Sequence, residues 1–547
     1  MSKFNKIHRH PAMTAASPVT TSPVADTRTF NGAAAFTRDA RSQLYLLGLS
    51  NMVAENTFYE SADDRDQRFN ALVAEVAVTD PQWLAGYLPW LRTVANMRTA
   101  PLTGAVEALR AMLAAKVPGG MGILASVLRR PDAPGEAIAY HYARHGRALP
   151  RPLKKAVALA ATRMYTERMA VRYDTARHAV RFGDVIELCH PTPRDILQAR
   201  LFRACLDRAH RRADPRLGGL ATLAADTALR IVAAQDPTVL LDTDRLRAAG
   251  WVFQDVLPYV GDGSKVSKRQ LWEAVIPVMG WEALLKNLAG FDREGVSDET
   301  AAAVAARIAD PAQVARAQVL PYQMLAAFEA VPSVRWHSAL ENALVASLSN
   351  IPALPGRTLV LIDTSSSMSG QRWSKRSTMT AAKAAAVFGI ATAHRQAHAD
   401  VYGFASGVFG HRLPRGGSFI TDVAAFVART GEVGHGTDIT GALRQTYAGH
   451  DRVFVFTDGQ STTAHDAQLV APHVPFYVFD LGGLAPAYAP SGGNVHTLGG
   501  LSDSTFTMIN VLERGRSVTW PWLDPALADT RTDAQADPQA PALTAGR

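Results

Sequence analysis

An uninterrupted apolar run, Leu359–Ile362, that ends abruptly in polar residues constrains the fold of this chain most strongly. Such a run is typical of a strand buried on both faces of a parallel sheet. The sequence DTSSS, residues 363–367, follows it directly, and an Ala-rich segment that predicts a helix covers residues 378–399. Open α/β sheets bind ligands at the carboxyl ends of their strands. A carboxylate and two hydroxyls at this position therefore predict a binding site in an α/β domain.

Two later segments supply further oxygen donors. Gly436-Thr437-Asp438 offers another hydroxyl, and the apolar strand 453–456 runs into Thr457-Asp458-Gly459, which gives a second strand-end carboxylate. Hard oxygen donors of this kind suit Mg²⁺, which takes few protein ligands and keeps several waters. Asp363 and the serines could instead only cap the following helix, as these residue types often do. The ordered set of three motifs favours the metal site.

The combination resembles the metal-ion-dependent adhesion site of von Willebrand factor A domains. In that family the first Asp, two Ser and one Thr sit around the metal, and the last Asp acts mostly through water. Every ligand position of the family motif has a matching residue in this sequence. The resemblance therefore implies that these residues have the same roles and that the cofactor is a divalent metal, Mg²⁺. The positions are Asp363, Ser365, Ser367, Thr437 and Asp458.

The length of 547 residues exceeds that of one ordinary domain, and 47% hydrophobic with 19% charged residues describes a soluble globular protein. With only Cys189 and Cys205, the chain has neither a disulfide framework nor a cysteine-rich zinc site. The basic N-terminus lacks the apolar stretch of a secretory signal. No segment approaches the ~18 uninterrupted apolar residues of a membrane span. These features predict a cytoplasmic protein without a membrane partner.

The chain divides by composition into four parts. Residues 1–28 are polar and aperiodic and are predicted to be disordered. Residues 29–350 have the pattern of many short helices punctuated by Pro and Gly, which predicts an α-solenoid of the HEAT type, although no strict repeat period occurs. Residues 355–512 alternate strands and helices and form the α/β domain. Residues 513–547 are a C-terminal extension, predicted to be largely disordered apart from an aromatic segment at 518–523.

The excess of Lys and Arg over Asp and Glu is concentrated in one region of the chain. The formal net charge is +8. The window 144–216 contains seventeen Lys/Arg against seven Asp/Glu, a local +10, so the remainder nets −2. A solvated Arg-rich face is one explanation. The excess of one sign favours a phosphate-binding surface instead, because Arg recognises phosphate bidentately. On the helix predicted here, Lys154 and Lys155 lie mostly off the apolar stripe of Leu153 and Val157.

Several segments together resemble the TROVE proteins, which include the Ro autoantigen and its bacterial relatives. Residues 97–101 (MRTAP) resemble the family's Arg-Thr-Ala-Pro motif, and residues 281–288 (WEALLKNL) resemble its Ala-Leu-Leu-Arg-Asn-Leu helix. A Leu-x-His-x-x-Pro element includes His190, and Leu354-Pro355-Gly356-Arg357 enters the metal-site strand in a similar way. The resemblance covers about residues 29–512.

The TROVE resemblance implies a HEAT-like helical ring closed by a von Willebrand A domain. It also implies that small noncoding Y RNAs bind the outer surface and that single-stranded 3′ ends of misfolded RNAs enter the central hole. Arg172, Arg177 and His190 match RNA-contacting positions, although Arg177 needs a small gap to align and Cys189 replaces the usual Ser. With the two lysines, the predicted RNA-binding set is Lys154, Lys155, Arg172, Arg177 and His190.

The sequence is therefore interpreted as a monomeric RNA-binding scaffold of the Ro type, without catalytic activity. Bacterial relatives use a Y RNA to tether the exoribonuclease polynucleotide phosphorylase, which implies a role in RNA quality control or decay. The alternative is a protein-interaction module whose A domain captures an acidic partner residue on Mg²⁺, with no RNA function. A metal hydrolase at Asp363 and Asp458 is disfavoured, because no recognisable motif places a general base beside them.

Overall fold

The fold consists of two compact units, which we call the α/β unit and the helical unit. The α/β unit comprises residues up to Leu72, Gln318–Ala326 and Leu344 onward, and the helical unit comprises Val73–Ala317 and Ala327–Ala343. The predicted fold class, an α-helical region followed by an α/β domain, is confirmed. A computed structural model describes residues 15–50, 59–212, 217–259, 265–317, 321–331, 333–348, 351–370, 379–414, 418–500 and 503–524.

Helices dominate the chain before the large sheet. Two short strands come first, β1 (Thr27–Arg28) and β2 (Ala34–Thr37). The helices are α1 (Ala40–Ser50), α2 (Ala62–Thr79), α3 (Pro81–Thr93), α4 (Thr99–Ala114), α5 (Gly120–Val127), α6 (Ala133–His145), α7 (Arg151–Met164), α8 (Glu167–Tyr173), α9 (Phe182–Cys189), α10 (Ile196–Ala209), α11 (Ala221–Gln235), α12 (Thr243–Ala249), α13 (Phe253–Val256), α14 (Lys268–Val275), α15 (Trp281–Arg293), α16 (Asp298–Ala309), α17 (Pro311–Ala317), α18 (Pro321–Ala330) and α19 (His337–Ser347). Short 3₁₀ helices occupy Pro237–Leu241, Leu257–Tyr259, Ile276–Val278 and Val334–Trp336.

The start of α3 is fixed by the residues that its sequence predicts. Asp80 is the N-cap, its carboxylate accepts a hydrogen bond of 3.1 Å from the Trp83 backbone N–H, and Pro81 occupies the first helical position.

Asp80→Ala is expected to lower the free energy of unfolding by about 1 kcal/mol, because an N–H at the helix start loses its acceptor. Denaturant unfolding measures the change. Asp80→Asn, which keeps an acceptor, is the control, and equal losses in both variants would contradict the capping role.

The α/β unit is built on a six-stranded sheet of order β5-β4-β3-β6-β7-β9, in which only the edge strand β5 is antiparallel to its neighbour. The strands predicted at residues 359–362 and 453–456 are both present. The elements are β3 (Arg357–Asp363), α20 (Ser366–Ser369), α21 (Ala381–Arg395), β4 (His398–Phe404), β5 (Val408–His411), α22 (Phe419–Val427), α23 (Ile439–Thr446), β6 (Arg452–Thr457), β7 (Phe476–Asp480), β8 (Pro486–Ala487), β9 (Val495–Gly499) and α24 (Asp503–Glu513).

The central position of β3 explains its apolar sequence. Leu361 pairs with Tyr402 of β4 on one side and with Val455 of β6 on the other, and Leu359–Ile362 are fully buried. A parallel strand covered on both faces needs apolar side chains in both directions. The helix predicted for residues 378–399 is shorter than expected, since α21 ends at Arg395 and Ala399 already belongs to β4. This sheet aligns the ends of β3, β6 and β7.

Residues before Leu72 join the α/β unit, although the sequence predicted helical-domain structure from residue 29. β2 pairs with β1 and with β8 to form a small antiparallel sheet. The buried Arg38 guanidinium contacts the Asp480 carboxylate at 2.7 Å and donates to the Leu484 carbonyl oxygen. Sequence periodicity cannot reveal these pairings, because the partners are more than 440 residues apart. The domain boundary near residue 29 is thus not a boundary between the two compact units.

The two ends predicted to be disordered are only partly covered by the described residues. In residues 15–28, Val19 is buried and β1 forms. In residues 513–524, the Trp520 ring lies 5.2 Å from the Tyr45 ring of α1, between centroids. The aromatic segment 518–523 thus packs on the α/β unit's own N-terminal helix. The predictions for residues 1–14 and 525–547 lie outside the described residues.

Candidate metal centre and nucleic-acid interface

Asp363 ends β3 with both carboxylate oxygens held by neighbours. Oδ1 accepts a hydrogen bond of 2.9 Å from the Ser365 backbone N–H. Oδ2 accepts one of 2.6 Å from the Thr457 hydroxyl at the end of β6. The side chain is fully buried. The sequence did not single out Thr457 for this role, which follows from its position at the end of the adjacent parallel strand.

Ser365, Ser367 and Asp458 lie beside Asp363. The two serine hydroxyl oxygens are 3.2 Å apart, and the Ser367 side chain is hydrogen-bonded to the Asp458 carboxylate. Asp458 also accepts a hydrogen bond of 3.1 Å from the Gln460 backbone N–H. The ends of β3 and β6 thus bring together four of the five side chains that the sequence predicted for the metal site.

Thr437, the fifth predicted residue, lies on a loop that is hydrogen-bonded to both strand ends. The Ser366 N–H donates to the His435 carbonyl oxygen at 3.1 Å, and the Thr462 N–H donates to the Thr437 carbonyl oxygen at 2.7 Å. Thr437 is almost completely buried. Asp438, the next residue, caps α23 by accepting from the Gly441 N–H at 2.8 Å, so its carboxylate has a structural use.

The electrostatics of the two aspartates favour a cation. Burial and the charge of Asp458 raise the pKa of the Asp363 carboxyl. Burial also raises the pKa of Asp458, to which the nearby Asp480 carboxylate contributes. Two buried carboxylates that repel one another are stabilised in their ionised form by a positive ion between them. The donor set of carboxylates and hydroxyls fits Mg²⁺.

Among the described residues there is no group of three or more His, Cys, Asp and Glu side chains that could hold a metal ion. A transition-metal site of that composition therefore finds no support in this part of the chain. The oxygen set at the ends of β3 and β6 differs, because most of its donors are hydroxyls. Its metal preference follows from hard oxygen chemistry alone.

A third carboxylate and an N-terminal tyrosine complete the surroundings of this centre. Asp480 ends β7, forms the ion pair with Arg38, and accepts hydrogen bonds from the Gly482 and Gly483 N–H groups. The Tyr59 hydroxyl is hydrogen-bonded to Ser367 and Asn31, and burial followed by the charge of Asp458 raises its pKa, so the phenol is neutral. Asp480 was not predicted, although its position at the end of an apolar strand is a signal that could have identified it, whereas Tyr59 carries no local signal.

The predicted RNA-binding cations lie on the surface of the helical unit. Arg172, at the end of α8, and Arg177, in the following loop, are exposed. Lys155 on α7 is exposed, and Lys154 is half-buried. Within the described ranges, none of the four forms an ion pair, whereas Arg181 in the same window is bound to Asp174 at 3.1 Å. Their charge therefore remains available to a polyanion.

Many other arginines of the basic window are engaged with neighbouring acids. Arg203 and Arg212 both contact Asp207, and Arg208 contacts Asp226 at 3.3 Å. The Arg208 pair connects α10 with α11, whereas Arg203 and Arg212 pair with Asp207 of α10, so three arginines of the basic window are already paired in the described residues. Arg216 lies outside them. The net positive charge is accordingly concentrated nearer to Arg172.

Tyr173 is flanked by two guanidinium groups. Arg172 lies 5.4 Å and Arg130 lies 5.5 Å from the centroid of its ring. Cation–π contacts of this kind hold an aromatic ring and its cations in place. Arg130, which follows α5, was not predicted from the sequence, because it lies outside the basic window. Its guanidinium also pairs with the buried Asp132 carboxylate at 3.1 Å, so Arg130 holds the ring of Tyr173 in place without adding an unpaired cation.

His190 is exposed and adopts a left-handed backbone conformation with φ of 49° at the end of α9. Non-glycine residues rarely adopt this conformation, although His does so more often than most. The preceding Cys189 is buried, burial raises the pKa of its thiol to about 11, and its principal charged neighbour is Lys154. Lys154 thus lies near Cys189, the residue before His190, and an RNA-binding role for His190 and Lys154 stays a prediction.

Comparison with known proteins supports the resemblance drawn from the motifs. Residues 263–397 match the model of the TROVE domain. This range contains residues 281–288 and the first three predicted metal ligands. It does not include Thr437, Asp458 or the basic window. Among curated proteins, none matches the chain.

The fold is similar to the crystal structure of the Ro (RSR) protein of Deinococcus radiodurans. The TM-score is 0.57 at 17% sequence identity, and the match covers 87% of this chain and all of the other. Likeness at this identity concerns the fold. Together, the domain match and the shared fold confirm the TROVE resemblance inferred from the sequence. No helix of the described ranges is long and apolar enough to cross a membrane.

Proposed function

We propose that this chain, with its TROVE domain match and the fold of a bacterial Ro protein, is an RNA-binding scaffold without catalytic activity. The observation that carries the proposal is the surface of the helical unit around the exposed Arg172 and Arg177, neither of which forms an ion pair in the described residues. Phosphate neutralisation supplies most of the affinity. Recognition is of RNA shape and ends, since the grooves of RNA duplexes hide base identity from side chains.

The expected ligands are a small noncoding Y-like RNA and the single-stranded 3′ ends of misfolded RNAs. A cytoplasmic monomer bound to such an RNA would act in RNA quality control or decay, with polynucleotide phosphorylase recruited through the RNA. Crosslinking in the native cell, followed by sequencing of the retained RNA, identifies the ligand. Recovery of no RNA above that of an Arg172→Gln/Arg177→Gln control would contradict the proposal.

We propose further that the α/β unit binds Mg²⁺ through Asp363, Ser365, Ser367, Thr437 and Asp458. The hydrogen bonds that link Asp363 to Ser365, Ser365 to Ser367 and Ser367 to Asp458, together with the raised pKa of both aspartates, support it. A bound Mg²⁺ supplies a hard cation that attracts carboxylates. The residues of the chain hold the oxygen atoms in place, and Thr457 orients Asp363 through its hydroxyl.

The second candidate function, a protein-interaction module without an RNA role, depends on the same metal centre. The ratio of absorbance at 260 and 280 nm of the purified protein separates the two functions, because only the RNA-binding scaffold copurifies with nucleic acid. Nuclease treatment before the measurement is the control. A ratio unchanged by nuclease, at the value for protein alone, would favour the interaction module.

His190→Ser is expected to weaken binding of a structured noncoding RNA about tenfold, with little change in its salt dependence. A neutral ring that contacts sugar or base contributes by stacking, worth about 1–3 kcal/mol per base, and neutralises no phosphate. Fluorescence anisotropy at several salt concentrations measures both quantities. His190→Asn, which tolerates the left-handed backbone, controls for conformation. Parent affinity in both variants would remove His190 from the binding surface.

A further inference from the structure

The N-terminal part of the α/β unit lies against the proposed metal centre at two places. Around residue 30, the Phe30 N–H donates to the Gln460 side-chain oxygen at 2.9 Å, and the Asn31 amide donates to the Gln460 carbonyl oxygen. The Thr29 hydroxyl donates to the Ser461 carbonyl oxygen at 2.8 Å. Gln460 follows Asp458 by two residues. This turn is therefore fixed to the loop that carries the second carboxylate.

The second place is Tyr59, whose hydroxyl is hydrogen-bonded to Ser367 and Asn31. Its ring packs on Phe30 with centroids 4.9 Å apart. The turn around residue 30 and Tyr59 therefore contact each other, and the side chains of Phe30, Asn31 and Tyr59 form one cluster. We call this cluster the cap.

The cap is held by ion pairs next to Tyr59. Glu60 contacts Arg68 at 2.8 Å and Arg65 at 3.2 Å. The same arginines donate to the carbonyl oxygens of Gly482 and Gly483, in the loop after β7. Arg65 is buried. These ion pairs and hydrogen bonds connect Glu60 to the loop after β7 and so restrict the position of Tyr59.

The burial of the metal-site residues agrees with a covered centre. Asp363, Ser365 and Thr437 are at most 1% exposed, and Ser367 and Asp458 are at most 8% exposed. A site that takes a carboxylate from a partner needs an open face. Here Tyr59 contacts one of the proposed ligands directly, and Asn31 contacts the backbone of the loop that bears another.

We propose that Phe30, Asn31 and Tyr59 form an intramolecular cap that keeps external carboxylates away from the metal centre. The inference rests on the proposed Mg²⁺ site and deepens it. The centre then stabilises the α/β unit, and an acidic partner residue reaches the ion only after the N-terminal segment is displaced. The ligand class that is excluded is a carboxylate, such as that of an Asp or Glu side chain.

Trifluoroacetate, with Mn²⁺ in place of Mg²⁺, tests the cap in the full-length protein. A carboxylate that approaches Mn²⁺ has its ¹⁹F relaxation accelerated, so the rate reports access to the ion. The parent is expected to match Asp363→Ala, which lacks the site, whereas Tyr59→Ala is expected to relax trifluoroacetate several-fold faster. Tyr142→Ala, which removes a partly buried tyrosine of the helical unit, is the matched control and is expected to behave as the parent.

Phe30→Ala is the second variant, because Phe30 is 57% exposed and its truncation leaves the core intact. It is expected to accelerate relaxation in the same direction as Tyr59→Ala. Equal rates in the parent, Tyr59→Ala and Phe30→Ala would overturn the cap. Calorimetric titration of the parent protein with Mn²⁺ accompanies the relaxation measurement. Absence of Mn²⁺ binding would overturn the metal site and the cap together. RNA affinity, measured separately, tests the scaffold function independently of both.

Discussion

Asp363→Ala is expected to abolish binding of Mg²⁺ and Mn²⁺ while the α/β unit stays folded. Asp363 supplies a carboxylate at the centre of the proposed ligand set, and without it one carboxylate, Asp458, remains beside three hydroxyls. Mg²⁺ holds its water strongly and needs anionic ligands to displace it. Isothermal titration calorimetry measures the loss of affinity. Thermal unfolding in the absence of divalent ions shows whether the fold persists.

The fold is expected to tolerate this change for an electrostatic reason. Burial and the charge of Asp458 raise the pKa of Asp363, so the ionised carboxylate is unfavourable in the metal-free protein. Removing it relieves that repulsion but also removes an acceptor for the Thr457 hydroxyl. Asp400→Ala, at a half-exposed carboxylate of β4 bound to Arg357 and His450, is the control. Unchanged divalent affinity in Asp363→Ala would refute the metal site.

Replacement of Arg172 and Arg177 by Gln is expected to weaken binding of a structured noncoding RNA by at least about tenfold and to make its salt dependence shallower. Each phosphate contact contributes about −0.7 to −0.9 to the slope of log K against log salt. Loss of two contacts therefore reduces the slope by about one to two units. Anisotropy titrations across a series of salt concentrations give both values.

The control for this pair needs two exposed arginines of the same unit outside the basic window. Arg245 and Arg293 meet the requirement, since both are exposed and each pairs only with a nearby acid in the described residues. Arg307 does not, because its guanidinium donates to the carbonyl oxygens of Ile276 and Met279 and so supports the fold. If the Arg172/Arg177 variant keeps the parent's affinity and slope, the basic helices are a solvated face.

The proposed metal centre could be predicted from the sequence because each of its parts is local. A buried strand followed at once by oxygen donors identifies a strand end, as at Asp363 and Asp458, and parallel strands place their ends together. The residues that surround and orient the proposed ligands could not be predicted from the sequence. Thr457, Arg38 and Tyr59 act through partners that no periodicity relates to them, and only the folded chain shows those partners.

The basic window was identified by its charge, which overestimates the number of unpaired cations, whereas Arg172, Arg177 and His190 were predicted from the family resemblance. The sequence contains Arg177 and Arg181 four residues apart. In the described residues Arg181 is bound to Asp174, and of these two arginines only Arg177 forms no ion pair. Whether an arginine meets an acid depends on how helices pack, which composition does not specify. Arg130, beside Tyr173, was missed because it lies outside the basic window.

The pairing of β2 with β8 has a consequence for synthesis of the chain. Phe36 lies opposite Ala487, so the ribosome must add roughly 450 residues between the two, which takes on the order of 20–90 s at typical elongation rates. The helical unit emerges within that interval and contains contacts that are closer in sequence, which favours earlier folding. The residues of the proposed cap over the proposed metal centre are thus translated first and docked last. During that interval they are exposed to chaperones and proteases.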